Sequence, residues 1–368
     1  LKITVKAKEF IYKVNLLRNV VPAKSPLPVL TGILVSSDMT MIANNSRTGL
    51  SVKLHGEQSL EGYLGDPPSY VIPGRKIIDI CNKIKVDDDD IATLDFNDDK
   101  MVFKVGKSRF TLRTLPADQF PAFPAIPDTD RCTMPGEDLV RLLKSTVYAV
   151  STLQVRMFLC GVFLKGSEGV LTAMATDQIR FAIASMSYDV EFPGVVIPTE
   201  FAKVMISTLR PDTDVWLTVA DNQLVCGQDD IVMTSLLIAE KFPEETPNKV
   251  VVDVKAYSNS TICKLSDFSN AIDMALLLAN PLAANRIMLN SGDGVLNITA
   301  NAEVGEALNV VDAEISGAME STYFNGAFVK NVLNVLDGEK VTIKYTDHRQ
   351  PVLISNENTL GIIVPLQP

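Results

Sequence analysis

The sequence predicts an α+β protein made of three tandem copies of one unit, each with antiparallel strands and two helices. Three observations carry this. Phe120-Pro121, Phe242-Pro243 and Val364-Pro365 each close an apolar strand-like stretch, and they recur at one constant interval of about a third of the chain. Each third opens on a segment whose apolar residues fall at helical spacing: Phe10, Val14 and Leu17, then Leu139, Leu142, Leu143 and Val147, then Phe268, Ile272, Ala275 and Leu276. Near the middle of each third, an alternating apolar stretch runs into a second helix. Val71-Ile72-Pro73 precedes 75–84, Val196-Ile197-Pro198 precedes 199–209, and 322–324 precedes 326–336.

The remaining elements follow from local signals. Pro73 and Pro198 suit the first turn of a helix, where a missing N–H costs nothing. Alternating runs at 33–36, 41–43, 50–54, 162–164 and 171–175 read as antiparallel strands, and Gly292-Asp293-Gly294 is a turn signal between two more. The expected domains are 1–124, 125–247 and 248–368.

Composition excludes several classes. The chain has 368 residues, 46% of them hydrophobic, enough to fill more than one core. No apolar run reaches the roughly 18 residues of a membrane span, and Leu1 to Lys6 alternate like a strand instead of a signal peptide, so a cytoplasmic protein is expected. Five cysteines without CxxC spacing read as reduced, mostly buried thiols. The two histidines, His55 and His348, have no second His, Cys or acid cluster in sequence that would make a metal site or a nucleophile–base pair. Gly106-Lys107-Ser108 lacks the preceding glycine and the strand-to-helix context of a phosphate loop and reads as a turn. The run Asp87 to Asp90 reads as a solvated link after a helix. No enzyme, metal or cofactor is expected.

Charge distribution points to a binding role. The net charge is −10, yet the predicted helices are together net positive, so the excess acid lies elsewhere. Helices gathered on one surface would form a relatively basic face on an acidic body, suited to a phosphate backbone. The alternative is that Lys8, Lys13, Arg18, Lys76 and Lys83 are ordinary solvated residues.

Several stretches then carry a specific resemblance. They are Lys24 followed by Leu27-Pro28-Val29-Leu30 and Gly32; Ser108 to Leu112 leading to Leu115-Pro116-Ala117-Asp118-Gln119-Phe120-Pro121; Val155-Arg156 with Leu159 and Gly161; Ala175-Thr176-Asp177 with Arg180; and Ile362 to Leu366. In order and spacing, the chain resembles the bacterial DNA polymerase III beta subunit, the replicative sliding clamp, over its whole length. The resemblance implies a DNA-clamp fold: a head-to-tail homodimer whose three similar domains per chain make a ring, with helices lining the hole and sheets outside. Such a ring encircles duplex DNA without sequence preference, acts as a non-catalytic processivity factor, and tethers polymerase, clamp loader and repair proteins through short linear motifs. A closed ring needs only weak phosphate contacts, because tight ones would act as a brake.

The resemblance also implies sites. The DNA-facing set is Lys8, Lys13, Arg18, Lys24, Arg75, Lys76, Lys83, Arg141, Lys144, Lys203 and Lys330. The dimer interface pairs Ile80, Ile84 and Leu112 with Leu277 and Leu278 of the other chain. The partner-peptide cleft is formed by Leu159, Thr176, Gln178, Ile179, Arg180, Phe181, Pro243, Val352, Ile362, Ile363, Val364, Pro365 and Leu366. The chain departs from the family pattern at Gln178-Ile179, where members carry Gly-His, at the tail Leu366-Gln367-Pro368, at Met157-Phe158 and at Thr199-Glu200. Such drift suits a clamp whose partners have co-diverged, as in a phage or mobile element. Two other readings stay open: a clamp-fold accessory protein for repair or for capture of a host clamp loader, and a three-domain hydrolase or carbohydrate-binding protein.

Overall fold

A computed structural model describes residues 1–60, 68–97, 99–127, 131–243 and 257–367. The predicted boundary between 247 and 248 lies outside the described residues. Six α-helices are present among those described: α1 Ala7–Leu17, α2 Gly74–Lys83, α3 Gly136–Val147, α4 Thr199–Thr208, α5 Leu265–Leu276 and α6 Gly326–Leu333. The chain divides into two compact units, 1–137 with 203–237 and 138–202 with 238–368.

The first unit holds two antiparallel sheets. A five-stranded sheet runs, in spatial order, Gly56–Ser59, Lys2–Lys6, Ile91–Asn97, Lys100–Val105 and Ser108–Arg113. A nine-stranded sheet joins strands of the first third to strands of the second, through pairing of Thr48–Lys53 with Ile231–Leu236. Phe10, Val14 and Leu17 of α1 are fully buried, and the Phe10 ring lies 5.1 Å from that of Phe103. Spacing of three and four residues puts these side chains on one helical face, which is why α1 forms against the sheet. α1 also packs against α2.

The second unit is organised around one twelve-stranded sheet. Strands of the second third join those of the last third where Arg180–Ser187 pairs with Thr359–Ile363. Its core includes Phe268, Ile272, Phe324, Val329 and Ile363, and α5 packs on α6. The buried Tyr345 hydroxyl donates to the Gly317 carbonyl at 2.6 Å and contacts Thr261 and Ser291, so no polar atom of this cluster is stranded. Asp293 and Gly294, with φ of 51° and 81°, form the tight turn expected between Arg286–Gly292 and Val295–Ala302.

The threefold repeat is visible in register. Leu115 pairs with Val71, Ile238 with Val196, and Leu366 with Tyr323, and each of Val71, Val196 and Tyr323 stands three residues before a helix. Phe120-Pro121 and Phe242-Pro243 follow these positions, whereas Val364-Pro365 precedes its own. The third pair is therefore not structurally equivalent to the other two, although the repeat is real. Pro73 and Pro198 end strands immediately before α2 and α4 instead of entering the first turn. Their fixed φ suits an extended residue at the cap equally well.

Candidate functional site

A cavity of about 360 Å³ opens within the second unit. Its rim is the hairpin loop between Val170–Thr176 and Arg180–Ser187, built by short hydrogen bonds. The Thr176 hydroxyl donates to the Arg180 carbonyl at 2.7 Å and accepts from the Gln178 amide at 3.0 Å. Asp177 Oδ1 accepts from the amides of Ile179 and Arg180, at 3.0 and 2.7 Å. Gln178 has a φ of 78°, a conformation that favours glycine, so its side chain is carried at some backbone cost. The Val364 amide donates to the Ile179 carbonyl at 3.0 Å and ties the loop to the end of the last strand.

The walls are chiefly apolar. Leu159 and Ile362 are buried, Phe181 and Pro243 half-buried, and Ile179 is 49% exposed at the mouth. Phe242, stacked on Phe163 at 5.0 Å, supports Pro243 from behind. Arg180 lies over the Phe328 ring at 4.0 Å and is paired with Asp177, so its charge is already neutralised. The site suits a short peptide with one or two apolar anchors more than a charged ligand.

Nine of the cleft residues expected from the sequence line this cavity: Leu159, Thr176, Gln178, Ile179, Arg180, Phe181, Pro243, Ile362 and Val364. Four do not. Ile363 and Val352 pair with each other and turn into the core, because alternate residues of a strand face opposite sides. Pro365 lies past the cavity, and Leu366 is drawn off by its amide, which donates to the Tyr323 carbonyl at 2.7 Å. Arg156, Phe158 and Pro351 line the cavity in their stead. The same alternation could have found Pro351, since Val352 points inward.

The basic residues divide by exposure. Lys8, Arg18, Lys24, Arg75, Lys76, Lys83, Lys144 and Lys203 are exposed, while Arg141 and Lys330 are half-buried. Lys330 is committed to Asp273 at 2.6 Å and Arg141 to Asp138 at 3.5 Å. Lys13 corrects the sequence expectation: it is 5% exposed and paired with Asp230, because its place on α1 turns it toward the Asp229–Asp230 turn and away from solvent. Lys8 pairs with the exposed Asp88; the hydrogen bond and the opposite charge raise the lysine pKa and lower that of the aspartate.

Among the strand edges left unpaired in the described residues, two lie at corresponding places in the repeat. Ser108–Arg113 is the last strand of the five-stranded sheet, with Arg109 and Arg113 exposed and Phe110 and Leu112 half-buried. In the long strand Gly305–Ser316, residues 305–312 pair on one side with Val295–Ala302, and only 313–316 pair on the other. Beside that free edge Val304, Leu308 and Val310 are 85%, 63% and 56% exposed, and Leu277, just past α5, is 75% exposed. Ile80, Ile84 and Leu278 are half-buried. The free edge at 305–312 escaped the sequence reading, since nothing local distinguishes an unpaired strand from a paired one.

His55 Nδ1 lies 3.0 Å from Glu9 and 3.8 Å from Asp230, and His348 Nδ1 lies 2.7 Å from Glu320. No cluster of three metal-ligating side chains occurs among the described residues. No helix there is long and apolar enough to cross a membrane.

Family models for the DNA polymerase III beta subunit match the chain in series: the N-terminal domain over residues 1–124, the central domain over 133–244 and the C-terminal domain over 242–363. The chain belongs to the DNA polymerase III beta subunit family. Among family relatives, the beta sliding clamp of Pseudomonas putida is 26% identical over 380 residues, covering 99% of both chains. That of Staphylococcus aureus is 26% identical over 388 residues, covering 100% of this chain and 99% of its own. The crystal structure of the subunit from Thermotoga maritima aligns with a TM-score of 0.88 at 18% identity, covering 100% of this chain and 99% of that one. The one from Pseudomonas aeruginosa gives 0.86 at 23%, covering both chains completely. The beta-subunit fold of three similar α+β domains is thus retained at low identity.

Proposed function

We propose that this protein is a DNA sliding clamp that closes into a ring of two chains, encircles duplex DNA and tethers a polymerase and other partners through the cleft around Arg180. The observation that carries the reading is a strand junction made twice and left open once. Thr48–Lys53 pairs with Ile231–Leu236, and Arg180–Ser187 pairs with Thr359–Ile363. The corresponding strands of the third junction are residues 305–312 and Ser108–Arg113, neither of which has that partner among the described residues.

A second copy supplies each missing strand if the chains associate head to tail, and two such junctions close a two-chain ring. Charge supports this pairing. Lys104, Lys107, Arg109 and Arg113 surround one edge, while Glu303, Glu306 and Asp312 surround the other, with Val304, Leu308 and Leu277 available for burial.

Arg18, just past α1, and Arg75, Lys76 and Lys83 of α2 are exposed and provide phosphate contacts without base readout, as a sliding ring requires. Light scattering on the purified chain tests the reading, followed by retention on nicked circular DNA. A mass of twice one chain, with retention lost when the circle is linearised, is expected. A monomer at micromolar concentration that is not retained on the circle sinks the ring.

A further inference from the structure

A second cavity, of about 130 Å³, lies within the first unit and is lined by Asn44, Ser46, Arg47, Gln223, Thr234 and Leu236 among others. It occupies the same place in its strand junction as the larger cleft does in its own. Ser46 has a φ of 75°, matching the 78° of Gln178. The Ser46 amide donates to Asn44 Oδ1 at 2.7 Å, as that of Gln178 does to Thr176 Oγ1 at 3.0 Å. Asn45 Oδ1 accepts from the Thr48 amide at 2.8 Å, in the role of Asp177 toward Arg180. The Leu236 amide donates to the Arg47 carbonyl at 3.0 Å, the distance of Val364 to Ile179.

The two cavities share a backbone frame and differ in chemistry. Asn45 stands where the larger cleft has Asp177, so no carboxylate belongs to the loop. Arg47 is exposed and has no ion pair among the described residues. None of the lining residues is acidic. Thr234 is 4% exposed and its hydroxyl has no hydrogen-bond partner, and Gln223 adds a half-buried amide. A guanidinium without an ion pair beside neutral donors has the chemistry to receive a carboxylate, against the net charge of −10 of the chain as a whole. The volume admits one side chain, and Leu236, 43% exposed, offers an apolar shelf beside it.

We propose that this cavity is a second peptide-docking site, which takes the carboxylate of one acidic side chain in an extended segment. That the segment is a peptide rests on the reading of the larger cleft. The carboxylate preference rests on Arg47, Gln223 and Thr234 alone.

Fluorescence anisotropy on the full chain tests it, using labelled Gly-Ala-Leu-Glu-Leu-Ala-Gly and its Gln counterpart as probes. Saturable binding of the Glu peptide is expected, weakened about tenfold by Arg47→Glu or by the Gln counterpart and unchanged by Ile179→Asp in the larger cleft. Absence of saturable binding at millimolar probe, or indifference to Arg47→Glu, overturns the proposal. Competition by free glutarate at equal strength also overturns it, by assigning the site to small carboxylates. A parallel probe with two Leu-Phe anchors and no acid reports on the larger cleft separately. Its failure, with the Glu peptide still bound, would fault that cleft and not this one.

Discussion

The guanidinium of Arg180 holds the carboxylate of Asp177 through two nitrogens, with Nε 2.9 Å and Nη2 2.8 Å from Oδ2. The other carboxylate oxygen caps two loop amides, so one side chain both neutralises the rim charge and shapes the loop. Asp177→Ala strands these donors, each at a cost of about 1–3 kcal/mol if left unsatisfied. At least a tenfold loss of affinity for an apolar-anchored peptide is expected in anisotropy titrations. Unaltered affinity would place peptide binding away from this loop.

Gln178 pays for a left-handed backbone that glycine adopts freely. Gln178→Gly should relieve about 1 kcal/mol of strain and raise the melting temperature by about 2 °C. A lower melting temperature would mean that the Gln178 side chain makes a contact worth more than the strain.

Ring closure should respond to Leu277, whose side chain is 75% exposed. Leu277→Asp is expected to weaken self-association by about 2 kcal/mol, or roughly thirtyfold, in sedimentation. Added salt should weaken it further, since the two open edges carry opposite charges. A self-association constant unmoved by the substitution would remove Leu277 from the interface.

Lys13 and Lys24 should behave differently. Lys24 is exposed, and reversing it together with Lys83 is expected to lower the salt dependence of DNA retention by about two phosphate contacts. Lys13→Ala leaves the largely buried Asp230 without its partner and should cost about 3 kcal/mol of stability. DNA retention by folded Lys13→Ala should match the unmodified protein. Equal DNA defects in both variants would contradict the assignment.

Thiol chemistry separates Cys160 from the rest. Cys81, Cys132, Cys226 and Cys263 are buried, and burial pushes the Cys81 and Cys263 thiols up to about 12. Cys160 is partly open, its thiol raised less far by burial and then by Glu240. One thiol per chain should therefore react with an alkylating reagent under native conditions, and faster as pH rises, because the thiolate is the reactive form. Labelling of two or more native thiols at comparable rates would show that the buried cysteines open to solvent.

The sequence by itself determined the threefold α+β repeat, the helices and most of one cleft wall. Phe10, Val14 and Leu17 announce α1 because helical spacing is a local property, whereas Thr176 to Phe181 are marked as a cleft only by the family resemblance. Tertiary structure alone decided where side chains of one strand point and which charges are spent. Alternation along a strand puts Ile362 and Ile363 on opposite faces, but only the fold says that Ile363 meets the core and Ile362 the cavity. Lys13 reads like Lys8, but an aspartate far along the chain closes over it. The open edges at Ser108–Arg113 and 305–312 belong to the same class: pairing is a relation between distant segments, and no single segment encodes its partner.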